Sequence, residues 1–152
     1  MKTKFSHLDA AGGVRMINVG HKPVQRRRAL AEGKLVCQPA TIRALKKRAL
    51  PKGDVLTVAQ IAGIQAAKRT AELIPLCHPL GLDHVEVSFR VRRDVIEIFC
   101  AAETRSPTGV EMEALAGVTV AALALYDMCK AVDKTMRIEN IRVVKKEKHD
   151  PE

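Results

Sequence analysis

The longest mostly apolar stretch of the chain, Ala114 to Tyr126, contains Thr119 but no charge. It is too long for an ordinary strand and falls short of the ~20 residues that a bilayer-spanning helix needs. An Ala-rich helix at the centre of the fold is the remaining solution. Thr108 followed three residues later by Glu111 has the capping-box form, so the helix is expected to open there and to continue to about Val132. The rest of the chain must then supply the surfaces that cover it.

Those surfaces are legible on both sides of it. Val85, Val87, Phe89 and Val91 alternate with Glu86, Ser88, Arg90 and Arg92, and a turn at Arg93 and Asp94 leads into Val95 to Glu103, which predicts a hairpin. Arg15 to Val19 and Val24 to Cys37 read as strands joined by His21, Lys22 and Pro23, with Gly33 as a bulge. Arg26, Arg27 and Arg28 fall on alternating sides of that strand, which predicts a solvated or edge-protecting role rather than one patch. Pro39 suits the first turn of a short helix with Ile42, Leu45 and Ala49 on one face. Asp54 is placed to cap a second helix reaching about Thr70, and the stretch IPLCHPL breaks it. A last strand, Met136 to Val144, precedes a basic C-terminal tail from about residue 145. The order of strands and helices predicts an α+β fold with helices on one face of the sheet. With no internal repeat or linker-like segment, residues 1–152 read as a single domain.

Charge narrows the partners. Lys and Arg number 26 against 17 Asp and Glu, a formal net charge of +9, so the long-range field favours anions. Nucleic acid and phosphorylated metabolites both satisfy that. With no Trp, one Tyr and three Phe, there are few rings on which bases could stack, which weighs against nucleic acid. The opening MKTKFSHLDAAGG has no apolar stretch behind its lysines, so the expected location is cytoplasmic, with neither targeting segment nor membrane span. Cys37, Cys77, Cys100 and Cys129 form no CxxC pair, and a disulfide framework is not expected.

The residues able to do chemistry lie mostly on the long helix. Asp127 and Lys130 stand three apart and share a face. That spacing fits an acid/base couple at the margin of the core and equally fits a surface ion pair. Glu111 is explained as the partner of Thr108, whereas Glu113 is not. Glu113 and Asp127 come within about 40° of the same face but are separated by roughly 21 Å of helix. One small substrate cannot easily touch both, so if both serve one site, a second copy of the chain supplies one of them. His78, between Pro75 and Pro79, is held on restricted backbone, for proton transfer or as a structural histidine. Adjacent Cys77 and His78 lack metal-ligand spacing, and no metal site is expected. Lys52, just before Gly53 and Asp54, lies where a helix N-terminus could help it receive a phosphate.

Over PKGDVLTVAQIAGIQAAKRTAELIPLCHPL and TGVEMEALAGVTVAALALYDMCKAVDK, and more weakly near both ends, the sequence resembles the molybdenum-cofactor biosynthesis protein C family of cyclic pyranopterin monophosphate synthases. The resemblance implies a ferredoxin-like fold. It also implies a lyase that converts a cyclic dihydroguanosine triphosphate into cyclic pyranopterin monophosphate with release of pyrophosphate, without a metal or other cofactor. The aspartate and lysine of the family's YDMCK motif fall on Asp127 and Lys130, as general acid/base groups. Its LCH and ME substrate-binding segments fall on Leu76, Cys77, His78 and on Met112, Glu113, its KGD lysine falls on Lys52, and Glu111 is a further contributor. The family assembles as a hexamer, a trimer of dimers with active sites between subunits, which resolves the separation along the helix. Many members continue with Gly-Gly-Lys-Ser-Gly where this chain has KKEKHDPE, so Lys145 and Lys146 compete for the role of the family's lysine near the site. Two readings stand against the enzyme: a basic nucleic-acid-binding module, and a non-catalytic scaffold of the same fold.

Overall fold

The computed structural model describes residues 7–150. Along the chain run β1 (Gln25–Val36), α1 (Pro39–Lys46), α2 (Val55–Lys68), α3 (Thr70–Leu73), β2 (His84–Val91), β3 (Val95–Ser106), α4 (Glu111–Cys129) and β4 (Arg137–His149). The four strands form one sheet in the order β2-β3-β1-β4, antiparallel at every junction. This is the α+β, ferredoxin-like arrangement. The alternating segment closes as the β2–β3 hairpin, with the Arg92 amide donating to the Val95 carbonyl across the turn at 2.9 Å.

The helices cover one face of the sheet. Ala29, Ala31 and Leu35 from β1, Val87 from β2, and Ile96, Ile98, Cys100 and Ala102 from β3 point into the core. They meet Ala114, Val118, Ala121, Ala122 and Leu125 of α4, which lies against β1, β3 and β4 and carries α2 on its flank. The nineteen residues of α4 are long and apolar enough to cross a membrane by composition, yet half of the helix is enclosed by the fold, as the central-helix reading requires. Close approach is made possible by glycine. A Cβ on Gly63 of α2 would stand 2.8 Å from the Gly117 carbonyl of α4, so the two helices pack backbone against backbone at this point.

Several sequence expectations are corrected. Arg15 to Val19 forms no strand, and only an isolated bridge between Leu8 and Val14 is present there. β1 is an interior strand, so the arginine triplet protects no edge. Arg26 and Arg28 instead pair with Glu103, and Arg28 also pairs with Glu147. Of the two register shifts between β1 and β4, one falls between Leu30 and Ala31 and the other between Glu32 and Lys34, around Gly33, and in both the extra residue is on β4 rather than on β1. Gly33 is small for another reason: a Cβ there would come within 2.7 Å of Val118, where α4 crosses the strand. The helix begins after Val110 without any side-chain cap, and it ends at Cys129 rather than Val132. Ala49 lies outside α1, which stops before Arg48 at φ 52°. β4 runs on to His149, so residues 145–149 of the segment read as a tail belong to the sheet.

Candidate active site

The C-terminal turn of α4 presents Asp127 between two ammonium groups. Lys130, one turn on, reaches Asp127 Oδ1 at 2.7 Å. Lys52, from the loop between α1 and α2, donates to Asp127 Oδ2 at 2.7 Å and to its backbone carbonyl at 3.1 Å. The loop is set by Asp54, two residues beyond Lys52, whose carboxylate accepts the Thr57 amide at 3.2 Å and caps the start of α2 at Val55. Hydrogen bonds from Lys130 and then Lys52 hold the Asp127 carboxyl down at about 2, and Asp127 in turn raises Lys130. The cause differs from the core-margin burial expected from sequence. Asp127 is 54% exposed, so charge pairing rather than desolvation sets its state.

The opposite end of α4 faces a separate cavity of about 200 Å³. Leu76, Cys77 and His78 from the loop after α3 meet Glu111, Met112 and Glu113 from the first turn of α4 there. Ring geometry is fixed from outside: His78 Nε2–H donates to the Ile17 carbonyl at 2.7 Å. This is a structural job that leaves the other ring nitrogen for a ligand. Glu113 is only 4% exposed, and burial pushes its carboxyl up, with Glu111 adding to the effect. Burial and then Glu113 likewise raise the Cys77 thiol, which argues against a reactive thiolate.

Glu111 joins this cavity to a more basic one. Burial is the largest single influence and raises its carboxyl, but the bond from Lys146, a backbone hydrogen bond and the charges of Lys146 and Arg27 together outweigh it and leave the carboxyl below its ordinary value. Lys146 Nζ lies 2.8 Å from Glu111 Oε1, replacing the capping-box role expected of that glutamate. Lys146 stands opposite Ala29, on the helix-covered side of β1, whereas Lys145 pairs with Glu147. Of the two lysines, Lys146 is therefore the one turned towards the candidate residues. Arg27 and Lys148 line the same cavity of about 380 Å³. Arg27 was missed by reasoning from strand alternation alone, because the helix layer that it faces is not visible in a local pattern. Lys22 and Val19, which line the first cavity, were missed as well. The weak similarity near the N-terminal end, over HLDAAGGVRMINVG, reaches Val19 but stops short of Lys22.

The candidates thus fall into two groups at opposite ends of one helix. Leu76, Cys77, His78, Met112, Glu113, Glu111 and Lys146 adjoin one another, and Lys52, Asp127 and Lys130 form the other group. Among the described residues there is no group of three or more His, Cys, Asp or Glu side chains suited to a metal ion.

Comparison with known proteins shows the family to which the chain belongs. Residues 16–149 match the model of the MoaC family. A cyclic pyranopterin monophosphate synthase of Chloroflexus aggregans is 55% identical over 145 residues, 94% of this chain and 88% of that protein. One of Oleidesulfovibrio alaskensis is 53% identical over 148 residues, 96% of this chain and 93% of that protein. A longer relative, a molybdenum cofactor biosynthesis bifunctional protein of Chlorobaculum tepidum, is 56% identical over 140 residues, 92% of this chain but 45% of that protein.

Proposed function

The chain belongs to the MoaC family and is a lyase of molybdenum cofactor biosynthesis, and from that premise we propose that it converts the cyclic dihydroguanosine triphosphate into cyclic pyranopterin monophosphate, releasing pyrophosphate. The observation that carries this reading is Asp127 held at 2.7 Å from both Lys52 and Lys130. A carboxylate already ionised at neutral pH is available to accept a proton from the ring or sugar. The flanking ammonium groups can return a proton and offset charge that develops as pyrophosphate departs. Leu76, Cys77, His78, Met112, Glu113 and Glu111 bind the substrate, with Lys146 contributing positive charge beside them.

The two groups of residues act in one site when they come from neighbouring subunits of a homo-oligomer, a hexamer built as a trimer of dimers. The roughly 21 Å between the two ends of α4 supports this reading. We place the protein in the cytoplasm, as a single catalytic domain that needs no cofactor. The nucleic-acid-binding and scaffold readings are not favoured, because the relatives matched over nearly the whole chain are synthases.

The test is incubation of the purified protein, and of Asp127→Asn, with the cyclic dihydroguanosine triphosphate, following pyrophosphate and the pterin product by chromatography. Product from the wild type and none from the variant is expected. A folded wild-type protein that yields no product would overturn the proposal.

A further inference from the structure

Asp133 is 2% exposed and lies six residues beyond Asp127, just past the end of α4. Among the described residues no cation pairs with it. Its charge is instead satisfied by four neutral donors. Oδ2 accepts from the Gln38 amide at 2.8 Å and the Thr41 hydroxyl at 2.9 Å. Oδ1 accepts from the Thr135 amide at 2.9 Å and the Thr135 hydroxyl at 2.8 Å. Burying an unpaired carboxylate is costly, and only full hydrogen bonding on both oxygens offsets it. Both oxygens must accept at once, and an asparagine cannot do this, because its amide nitrogen would face an N–H donor.

These bonds connect two places that matter to the candidate site. On one side, the Val132 and Asp133 amides both donate to the Cys129 carbonyl, so Asp133 is attached directly to the turn that carries Lys130 and Asp127. On the other, Gln38 precedes and Thr41 lies within α1, a helix of eight residues that would be marginal alone. Leu50, buried after α1, anchors the loop that delivers Lys52 two residues later. The covalent path from Gln38 to Lys52 and the path from Asp127 to Asp133 therefore form a closed frame, with the Lys52–Asp127 contact at one corner and the Asp133 contacts at the other.

We propose that Asp133 is a positioning residue, which holds Lys52 and Lys130 on Asp127 by fastening the exit of α4 to the entry of α1. The inference rests on Asp127 being the acting group, but the geometric part of it stands apart from that assignment. Removing the fastening lets the loop carrying Lys52 drift, and about 1 Å of misplacement is worth on the order of a hundredfold in rate. The cavity lined by His78 and Glu113, at the other end of α4, is left in place.

Asp133→Asn and the milder Thr41→Val are compared with wild type by steady-state kinetics and by NMR titration of the Asp127 carboxyl. Expected are a kcat lower by about a hundredfold for Asp133→Asn with KM changed less than about threefold. Also expected is an Asp127 midpoint raised towards its ordinary value, by more in Asp133→Asn than in Thr41→Val. The charged groups facing that carboxyl are Lys52 and Lys130, and a merely structural defect leaves their effect on it unchanged. If Asp133→Asn fails to fold, the titration of Thr41→Val decides. An Asp127 midpoint unmoved in every folded variant overturns the inference. A wild type without activity, in contrast, overturns the assigned reaction and leaves the titration to judge the frame.

Discussion

Lys52 and Asp127, 75 residues apart in the chain, meet at 2.7 Å on the exposed end of α4. Asp127 is thereby shared between a neighbour fixed by helix spacing and one fixed only by folding. Its lowered carboxyl follows from Lys130 first and Lys52 second. Replacing Lys52 by Met is expected to raise the NMR midpoint of Asp127 from about 2, and replacing Lys130 by Met to raise it further. A folded pKa below the ordinary value gives stability that is present above that ordinary value and lost as pH falls through about 2. Because the pair is solvent-exposed, Tm at neutral pH should not move measurably in either variant. An unchanged midpoint in both variants would show that the contacts do not persist in solution.

Glu113 has the opposite sign. Its carboxyl is raised by burial, so the stability it lends is complete below its unfolded pKa and is lost as pH rises through the folded value. Glu113→Gln is expected to unfold at higher temperature than wild type at pH 8, with the difference closing near pH 4. Calorimetry across that range checks it, and a variant less stable at pH 8 would contradict the burial argument.

If the two groups of residues meet across subunits, His78→Ala and Asp127→Asn damage different halves of one site. Each variant alone should be nearly inactive, whereas subunits mixed, unfolded and refolded together should recover about a quarter of wild-type activity, since random pairing rebuilds that share of intact sites. No recovery from mixtures that demonstrably exchange subunits would place both groups within one chain.

Packing yields a prediction independent of chemistry. A Cβ at Gly63 would lie 2.8 Å from the Gly117 carbonyl, 3.1 Å from the Ala121 Cβ and 3.1 Å from Val87. Gly63→Ala should therefore cost about 1–3 kcal/mol by forcing α2 away from α4, despite alanine's better helix propensity. Urea unfolding should show a lower midpoint with an unchanged slope. A stabilised variant would mean that the two helices separate freely at this point.

Much of this protein is written locally. The alternation Val85 to Val91 specifies the hairpin, the Ala114 to Tyr126 stretch specifies a core helix, Asp54 marks a helix start, and the i,i+3 spacing places Lys130 on Asp127. Each is decided by steric and hydrogen-bonding preferences within a few residues, so each can be read without knowing the fold. Tertiary structure decided what those elements touch. It put β1 inside the sheet, turned Arg26 and Arg28 from a solvated or edge-protecting role to ion pairing, and gave Glu111 to Lys146 instead of Thr108. It also brought Lys52 to Asp127 and Asp133 to the start of α1. Contacts of this kind depend on which surfaces close over a shared core, and because the side chains involved carry no periodic signal, only the packed chain selects among their possible partners.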